Sequence, residues 1–305
     1  MIIKAKWMLK LIILTCLGIL SPSCNYALAE QTLTAAELQA QQAKLKILND
    51  FVDSGLAYLK KYGKEKAYKE FSNTKGQFRK GELFLFVYNY QGVNLAHGAD
   101  PAHFIGKNLL NYRGKYDTPV IMLLINVAKR GGGYLHYYWT NPDSNQLQFK
   151  TTYVKPIDNN TLIGSGVYEN IEVPQTKYIR IEELKSFVNE AIEYYKQNGE
   201  VKALAEFNKP NGKFSRKTMT IFMGNYQGVC LADGGDPAIV GRNDYNLTDN
   251  FGTPFVQMFI ETAKNGGGVV TYYRTLYGTN ITKMKTAYIK SLTNNSFIGA
   301  GYYEK

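Results

Sequence analysis

The chain has 305 residues, of which 45% are hydrophobic, and a formal net charge of +11. This hydrophobic content excludes a disordered chain, and the length allows two domains with a core each. The basic residues are spread along the whole chain rather than gathered in one tract, which favours a solvated surface over a nucleic-acid-binding protein.

The first 29 residues have the pattern of a secretory signal peptide. Lys4, Lys6 and Lys10 precede an uncharged apolar run over residues 11–20, and Ala27-Leu28-Ala29 is a small-residue cleavage site. The run is about half of the roughly 20 residues that a membrane-spanning helix needs, which favours cleavage over an uncleaved anchor. Lipid modification at Cys24 is disfavoured, because Ser21 stands where a leucine is expected.

Cleavage predicts a periplasmic or secreted protein with no transmembrane segment left. Three lysines and no acidic residue are removed, so the net charge falls from +11 to +8. Cys230 is then the one remaining cysteine, and no internal disulfide can form. A catalytic role for Cys230 is disfavoured, because the second half of the chain has no histidine and the equivalent position in the first half is Asn94.

The rest of the chain opens with an amphipathic helix, because leucine and valine recur at helical spacing over residues 38–59. A shorter helix is predicted over residues 64–71. Alternation then predicts strands, joined at Gln91-Gly92 by a tight turn. A further helix begins with Thr118-Pro119 as N-cap and first-turn pair. The predicted strands cover residues 82–90, 93–97, 134–140, 147–155 and 161–168, and the further helix covers residues 118–129.

The same pattern returns later in the chain. Tyr90-Gln91-Gly92-Val93 recurs after 136 residues as Tyr226-Gln227-Gly228-Val229, and helices at residues 181–195 and 201–207 match those of the first copy. A repeat this long, present twice, indicates two domains rather than a solenoid. We place them at residues 30–170 and 171–305. Short turns require antiparallel strands, so each domain is predicted to be α+β: a five-stranded antiparallel sheet with a long N-terminal helix and shorter helices packed on it.

Several motifs occur in the same order in both copies. In the first they are Phe86-Val87-Tyr88, Gly92, Leu95-Ala96-His97-Gly98-Ala99-Asp100-Pro101, Gly106-Lys107-Asn108, Tyr137, Trp139-Thr140-Asn141-Pro142, Lys150 and Tyr153-Val154. In the second they are Leu231-Ala232-Asp233-Gly234-Gly235-Asp236-Pro237, Gly241-Arg242-Asn243, Tyr272, Tyr288 and Gly299. Together they resemble a tandem Cache domain protein, in the single-Cache type 2 pattern of extracytoplasmic bacterial sensors.

This resemblance implies a PAS-like sheet with a pocket between its concave face and the helix and loop that cross it. Such pockets recognise small metabolites, for example organic acids or amino acids. Members of the family usually continue into a transmembrane helix and a signalling module, whereas this chain ends at Lys305. We therefore expect a binding protein, or one that passes a signal to a membrane receptor or signalling partner.

Strand alternation and the resemblance nominate a site in the first domain. Tyr137 and Trp139 share one face of the third strand, where their rings could floor a pocket; ordinary packing of a tyrosine-rich sheet is the alternative. His97, Asp100 and Lys107 could offer a donor, an acceptor and a cation to a carboxylate, although capping is the favoured role of Asp100. The candidate ligand-binding residues of this domain are Tyr88, His97, Asp100, Lys107, Tyr137, Trp139 and Tyr153.

The second domain offers Asp233, Asp236, Arg242, Tyr272, Arg274 and Tyr288 at the matching positions. Since Asp233 replaces His97 and Arg274 replaces Trp139, the two copies would prefer different ligands, or one of them is structural. We expect the first copy to hold the better-formed site.

No cofactor and no metal site is predicted. His97, His103 and His136 are the three histidines of the chain, and their spacing matches no common zinc arrangement. No nucleophilic triad repeats between the copies, and the glycine triplets lead into strands rather than helices, unlike phosphate-binding loops. An enzyme is therefore disfavoured.

The sequence thus predicts an exported sensor-type protein that reversibly binds a small polar metabolite. The alternative is a non-enzymatic scaffold that binds a membrane receptor or a host surface. A closed pocket containing Tyr137 and Lys107 would favour the first, and an exposed apolar patch without a pocket would favour the second.

Processing gives the first testable prediction. The exported protein should begin at Glu30, and N-terminal sequencing of protein recovered outside the cytoplasm measures this directly. An N-terminus at Met1 in a membrane fraction would instead indicate the uncleaved anchor.

Overall fold

The computed structural model describes residues 35–169, 176–216, 219–276, 279 and 281–304, all of which belong to one compact unit. The predicted signal peptide, with Cys16 and Cys24, lies outside the described residues. So does the predicted domain boundary between residues 170 and 171, which stays a prediction.

In the first half of the chain, two helices precede two short strands and the main sheet. Its elements are α1 (Ala35–Tyr62), α2 (Lys64–Phe71), β1 (Arg79–Lys80), β2 (Leu83–Phe84), β3 (Phe86–Asn89), β4 (Asn94–His97), α3 (Pro101–Phe104), α4 (Val120–Lys129), β5 (Gly133–Thr140), β6 (Leu147–Pro156) and β7 (Thr161–Glu169).

The second half repeats this order, with a 3₁₀ turn in place of α3. Its elements are α5 (Thr176–Asn198), α6 (Glu200–Phe207), β8 (Ser215–Arg216), β9 (Met219–Asn225), β10 (Cys230–Asp233), the 3₁₀ turn (Pro237–Ile239), α7 (Phe255–Lys264), β11 (Gly268–Thr275), β12 (Thr282–Thr293) and β13 (Ser296–Tyr303).

Five strands of each half form an antiparallel sheet, and the two sheets join edge to edge. The order is β10-β9-β13-β12-β11-β5-β6-β7-β3-β4, with β8 added beside β9, while β1 and β2 pair separately. At the junction β11 runs antiparallel to β5, with Thr271 in register with His136. Each half therefore protects one edge of the other, which removes two exposed edges from solvent.

The helices divide between the two faces of this sheet. α4 and α7 pack against each other on one face, here called the inner face, above Leu135 and Tyr137 of β5 and Tyr272 of β11. On the opposite, outer face, α1 and α2 cover the first half and α5 and α6 cover the second. Because successive side chains alternate between faces, each strand contributes every second residue to the inner face.

Polar contacts also hold the halves together. The Arg113 guanidinium donates to the carbonyl oxygens of Gly267 at 2.6 Å and Asn265 at 2.5 Å. The Lys177 ammonium, at the start of α5, lies 4.4 Å above the ring of Tyr138 from the first half. The halves thus share both a sheet and a core.

The predicted α+β fold is confirmed, with some differences in detail. The predicted strand over residues 82–90 is interrupted at Leu85, giving β2 and β3. The predicted N-cap at Thr118 is wrong, because α4 begins at Val120 after Pro119, with no side-chain cap. The edge pairing of β5 with β11 was not predicted, because each copy by itself completes a five-stranded sheet.

The junction gives a stability prediction. Arg113→Ala should lower the free energy of unfolding by about 2 kcal/mol, because two charge-assisted hydrogen bonds to backbone carbonyls are lost. Lys115→Ala, on an exposed position of the same loop, is the matched control. Urea denaturation at pH 7 measures both, and equal small losses would contradict the role given to Arg113.

Candidate functional site

The inner face of the first half contains a small cavity, here called the first chamber. Its volume is about 20 Å³, which is room for about one water molecule. Aromatic rings of Phe84, Tyr88, Tyr137 and Trp139 form much of its wall, and the side chain of Lys150 enters it. The chamber is thus almost filled by the protein itself.

Lys150 is the charged group of this chamber. Its side chain is buried, and the ammonium donates to the Tyr168 hydroxyl at 3.0 Å and lies 4.6 Å above the ring of Phe84. Burial, with a smaller contribution from Arg79, lowers the pKa of Lys150 to about 7, and Glu82 opposes the shift. A substantial fraction of this amine is therefore neutral at pH 7.

His97 lies beside the same chamber and is also held neutral. Its Nδ1 accepts a hydrogen bond from the Asp100 amide at 2.9 Å, and its ring stacks on Phe104 with the centroids 4.1 Å apart. Burial, with a smaller contribution from the nearby Lys150, lowers the pKa of His97 to about 3, and Asp100 opposes the shift. His97 therefore organises the loop and adds no positive charge to the chamber.

The second half has a much larger cavity on the same face of the sheet, here called the second cleft. Its volume is about 880 Å³, within the range of small-molecule sites. Alternating inner-face residues of four strands contribute to its walls: Thr220 of β9, Arg274 of β11, Lys285 of β12 and Tyr303 of β13.

Cations dominate the polar lining of the second cleft, and they differ in their partners. Arg242 makes two hydrogen bonds to Asp244, at 2.6 and 2.7 Å, and Arg216 pairs with Glu190 at 2.9 Å. Arg274 and Lys285 have no ion pair within the part of the chain that the structure describes. These two side chains are therefore free to receive an anion.

Lys285 differs from Lys150 in being only partly buried. Its desolvation still lowers the pKa, Asp233 opposes the shift, and Arg274 adds to it. A carboxylate bound between Arg274 and Lys285 would favour the charged form of both groups.

Two aspartates add acceptors to the same cleft. Asp233 Oδ1 accepts hydrogen bonds from the amides of Gly235 at 2.8 Å and Asp236 at 3.0 Å. Asp236 Oδ1 is buried and has no hydrogen-bond partner among the described residues. A buried acceptor without a donor is costly, so a ligand donor at this point would stabilise the site.

Below the cleft lies a smaller apolar cavity, here called the inner chamber, of about 70 Å³. Asp233, Asp244, Arg274 and Lys285 border both spaces, so the charged groups stand at the entrance to the apolar one. Its walls include Phe255 and Tyr272, whose rings stack with centroids 4.8 Å apart. The site thus combines a charged entrance with a short apolar end.

Side-chain replacements account for the different volumes of the two halves. Thr220 stands where the first half has Phe84, Gly224 where it has Tyr88, and Arg274 where it has Trp139. The ring of Phe297 occupies part of the space above Gly224. The second half thus has the larger cavities, and the expectation of a better-formed site in the first copy stays a prediction.

The structure brings together most of the candidate residues in each half. Tyr88, His97, Tyr137 and Trp139 line the first chamber. Asp233, Asp236, Arg242 and Arg274 line the second cleft, and Tyr272 lines the inner chamber.

Four candidates lie elsewhere. Asp100 caps α3, accepting from the His103 amide at 3.2 Å, and Lys107 is exposed to solvent. Tyr153 and Tyr288 are on the outer face, in the cores covered by α1 and α5. Strand alternation explains why both tyrosines lie on the outer face. Tyr153 is three residues after the inner-face Lys150, and Tyr288 is three residues after the inner-face Lys285.

Lys150, Lys285 and Tyr303 were missed as site residues. Lys150 was noticed only as part of a motif, yet it recurs after 135 residues as Lys285, in the middle of strands that are otherwise largely apolar or uncharged. A repeated lysine at such a position is the signal that could have identified both.

The described residues contain neither a cluster of metal-binding side chains nor a helix that could span a membrane. No three His, Cys, Asp or Glu side chains among them come together in a way that could hold a metal ion. None of their helices combines the length and apolar character needed to cross a membrane.

Comparison with known proteins gives a family match that spans both halves. The family model of the Cache domain, dCache_2, matches residues 27–305. The sensor histidine kinase MctS of Rhizobium johnstonii is 35% identical over 86 residues, which are 28% of this chain and 18% of the kinase. The chain thus matches only a small part of that relative.

Solved structures of bacterial receptors are also similar. A methyl-accepting chemotaxis protein from Vibrio parahaemolyticus is 23% identical, with coverage of 44% of this chain and 93% of that one and a TM-score of 0.39. The ligand-binding domain of the Pseudomonas fluorescens chemoreceptor CtaA, in complex with L-isoleucine, is 11% identical, with coverage of 87% and 85% and a TM-score of 0.25.

The buried lysine of the first chamber gives a pH prediction. The pKa of Lys150 is about 7 in the folded chain, below the ordinary lysine value of 10.5, so between these values the unfolded chain binds more protons and stability rises with pH. Lys150→Met should therefore be more stable than the wild type at pH 7. The difference should shrink toward pH 10, by at most about 1.4 kcal/mol per pH unit.

Urea denaturation of both proteins across this range measures the difference. Lys107→Met, at an exposed position of the same half, is the control, and its difference from the wild type should not change with pH in this way. A pH-independent difference for Lys150→Met would contradict the assignment of a desolvated ammonium.

Proposed function

The chain belongs to the Cache domain family, and on that premise we propose that it is a ligand-binding protein of sensor type whose site is the second cleft. The ligand we propose is a small metabolite with a carboxylate group, such as an organic acid or an amino acid. The pairing of Arg274 and Lys285, without acidic partners of their own, at the entrance of an apolar inner chamber is the observation that carries this proposal.

The charges at the entrance support a carboxylate ligand. The guanidinium of Arg274 can bind a carboxylate in a bidentate manner, and Lys285 adds a second cation. Both are less hydrated than surface cations, so an anion gains more from them than it would from an exposed lysine. Two adjacent cations without partners also repel each other, and a bound anion would relieve this repulsion.

The acceptors and the inner chamber restrict the rest of the ligand. Asp236 Oδ1 needs a donor, which an ammonium or a hydroxyl group of the ligand would supply. A volume of about 70 Å³ between aromatic walls accommodates a short apolar group of a few carbon atoms. These features support a short hydroxy acid or amino acid better than a sugar or a nucleotide.

The chemistry of the cleft supports binding rather than catalysis. Cys230 borders the inner chamber, but burial, with smaller contributions from Asp233 and Asp244, raises the pKa of its thiol to about 12. The thiolate is the nucleophilic form, so Cys230 is a poor nucleophile at neutral pH. We therefore propose reversible binding without chemical conversion.

The compartment and the partners are part of the same proposal. A periplasmic or secreted location rests on the predicted signal peptide, and a membrane receptor or signalling protein is the proposed recipient of the bound state. A scaffold that binds such a receptor without any small ligand is the competing function, and the ligand experiment separates the two.

Thermal unfolding of the protein against a panel of short carboxylates and amino acids tests the proposal. A ligand at about 100 times its dissociation constant should add about 2.7 kcal/mol to the free energy of unfolding, and so raise the melting temperature. Arg274→Ala and Lys285→Ala should each remove most of this rise, because each removes one of the cations that bind the carboxylate.

Variants of the first half provide the matched comparison. Lys107→Ala and Trp139→Ala should keep the rise, whatever their own stability. Loss of the rise in Trp139→Ala, with Arg274→Ala unaffected, would move the site to the first chamber. The absence of any rise across the panel would favour the scaffold.

A further inference from the structure

Two segments of the first half lie over Lys150. One is the hairpin of β1 and β2, and the other is the turn between β5 and β6, over residues 141–146. Arg79 and Glu82 belong to the first segment, and Asn141 and Asp143 belong to the second. The segments meet through these four side chains.

Two polar contacts connect the segments. Arg79 forms an ion pair with Asp143, and the Asn141 amide donates to the Glu82 carboxylate at 3.0 Å. Asn141 is itself buried and also donates to Gln148 on β6 at 2.6 Å, which fixes its orientation. We call the ion pair and the Asn141–Glu82 hydrogen bond the latch.

The latch lies close to Lys150 and is more exposed than the lysine. The Arg79 guanidinium lies 5.4 Å above the ring of Phe84, and the Lys150 ammonium lies 4.6 Å from the centroid of the same ring. Exposure rises outward, from 2% for Lys150 to 16% for the Arg79 side chain and 45% for that of Asp143. A solute entering from this side would therefore meet the latch before it meets the lysine.

The second half shows the same lysine without the ion pair. Lys285 corresponds to Lys150, and Ser215 corresponds to Arg79 as the first residue of a two-residue strand. The Ser215 hydroxyl donates instead to the carbonyl oxygen of Gly234 at 3.0 Å. There the lysine borders an open cleft of about 880 Å³, although Thr220 in place of Phe84 also widens that cleft.

We propose that the latch is a lid contact that controls the access of small solutes to Lys150 in the first chamber. The chamber has room for about one water molecule, so a larger molecule needs its wall to move, and the parting of the two segments is the movement that we propose. The proposal concerns the first half and does not depend on the site proposed in the second cleft.

The two contacts of the latch are weak enough to break and re-form in the folded protein. An ion pair with one exposed partner contributes little net stability and is weakened by salt, and a single neutral-to-charged hydrogen bond adds a modest amount. Neither segment is a long strand of the main sheet, so parting them leaves the sheet intact.

The rate at which cyanate carbamoylates individual lysines in the full chain tests this proposal. Isocyanic acid adds across its C=N bond to a neutral amine with no leaving group, and peptide mass spectrometry identifies the modified residue. In the wild type, Lys150 should react more slowly than Lys285. In Arg79→Ser and Asp143→Asn, the rate at Lys150 should rise roughly tenfold, while the rate at Lys285 stays the same.

Two controls distinguish local opening from general loosening. Lys80→Ser removes a neighbouring exposed charge on β1 without touching the latch, and it should leave the rate at Lys150 unchanged. Lys177, which is buried against Glu304 in the second half, reports on global unfolding and should stay unreactive. Equal rates at Lys150 and Lys285 in the wild type, unchanged rates in both latch variants, or a parallel rise at Lys177 would each overturn the proposal.

Discussion

Each half places the amine of a lysine on the inner face of the β-sheet, and the desolvation of that amine constrains the rest of the site. Lys150 and Lys285 occupy the same position of β6 and β12, and the nearby carboxylates of Glu82 and Asp233 offset only part of their desolvation. A lysine in this situation must either stay hydrated or lose its proton. In the second half, an open cleft leaves Lys285 in contact with water. In the first half, aromatic rings pack around the amine of Lys150, whose pKa is about 7.

The shared sheet decides where the two sites lie. Because β5 and β11 join edge to edge, the inner faces of both halves belong to one surface, and α4 and α7 meet above it. The Arg113 contacts to Gly267 and Asn265 then fix the loop before α4 against the turn after α7. The two sites are therefore parts of one packed body, in which α7 beside the inner chamber packs directly against α4 beside the first chamber.

Local patterns in the sequence were sufficient for most elements but not for their assembly. The period of two predicted the strands, the period of 3.6 predicted the helices, and α2 was predicted with its observed bounds at residues 64–71. The joining of β5 to β11 depends on contacts between sequence-distant edges, which no period encodes. For the site, alternation predicted the inner-face positions of Tyr137 and Trp139. The motif that nominated Tyr153 and Tyr288 does not specify the face of the sheet, and both residues lie on the outer face.

The repeat in the sequence does not predict that the cavities of the two halves differ in volume. The two copies have the same elements and the same inner-face lysine, so the repeat alone predicts similar pockets. Volume depends instead on a few ring-to-small replacements, such as Tyr88 by Gly224 and Phe84 by Thr220. These replacements open the second half and leave Lys150 in a closed chamber. An apolar residue at position 150 would avoid the desolvation of the amine and pack well against Phe84 and Tyr168. A first half whose sole role was packing would thus be more stable without this lysine, which favours a chamber that still has a use for its amine.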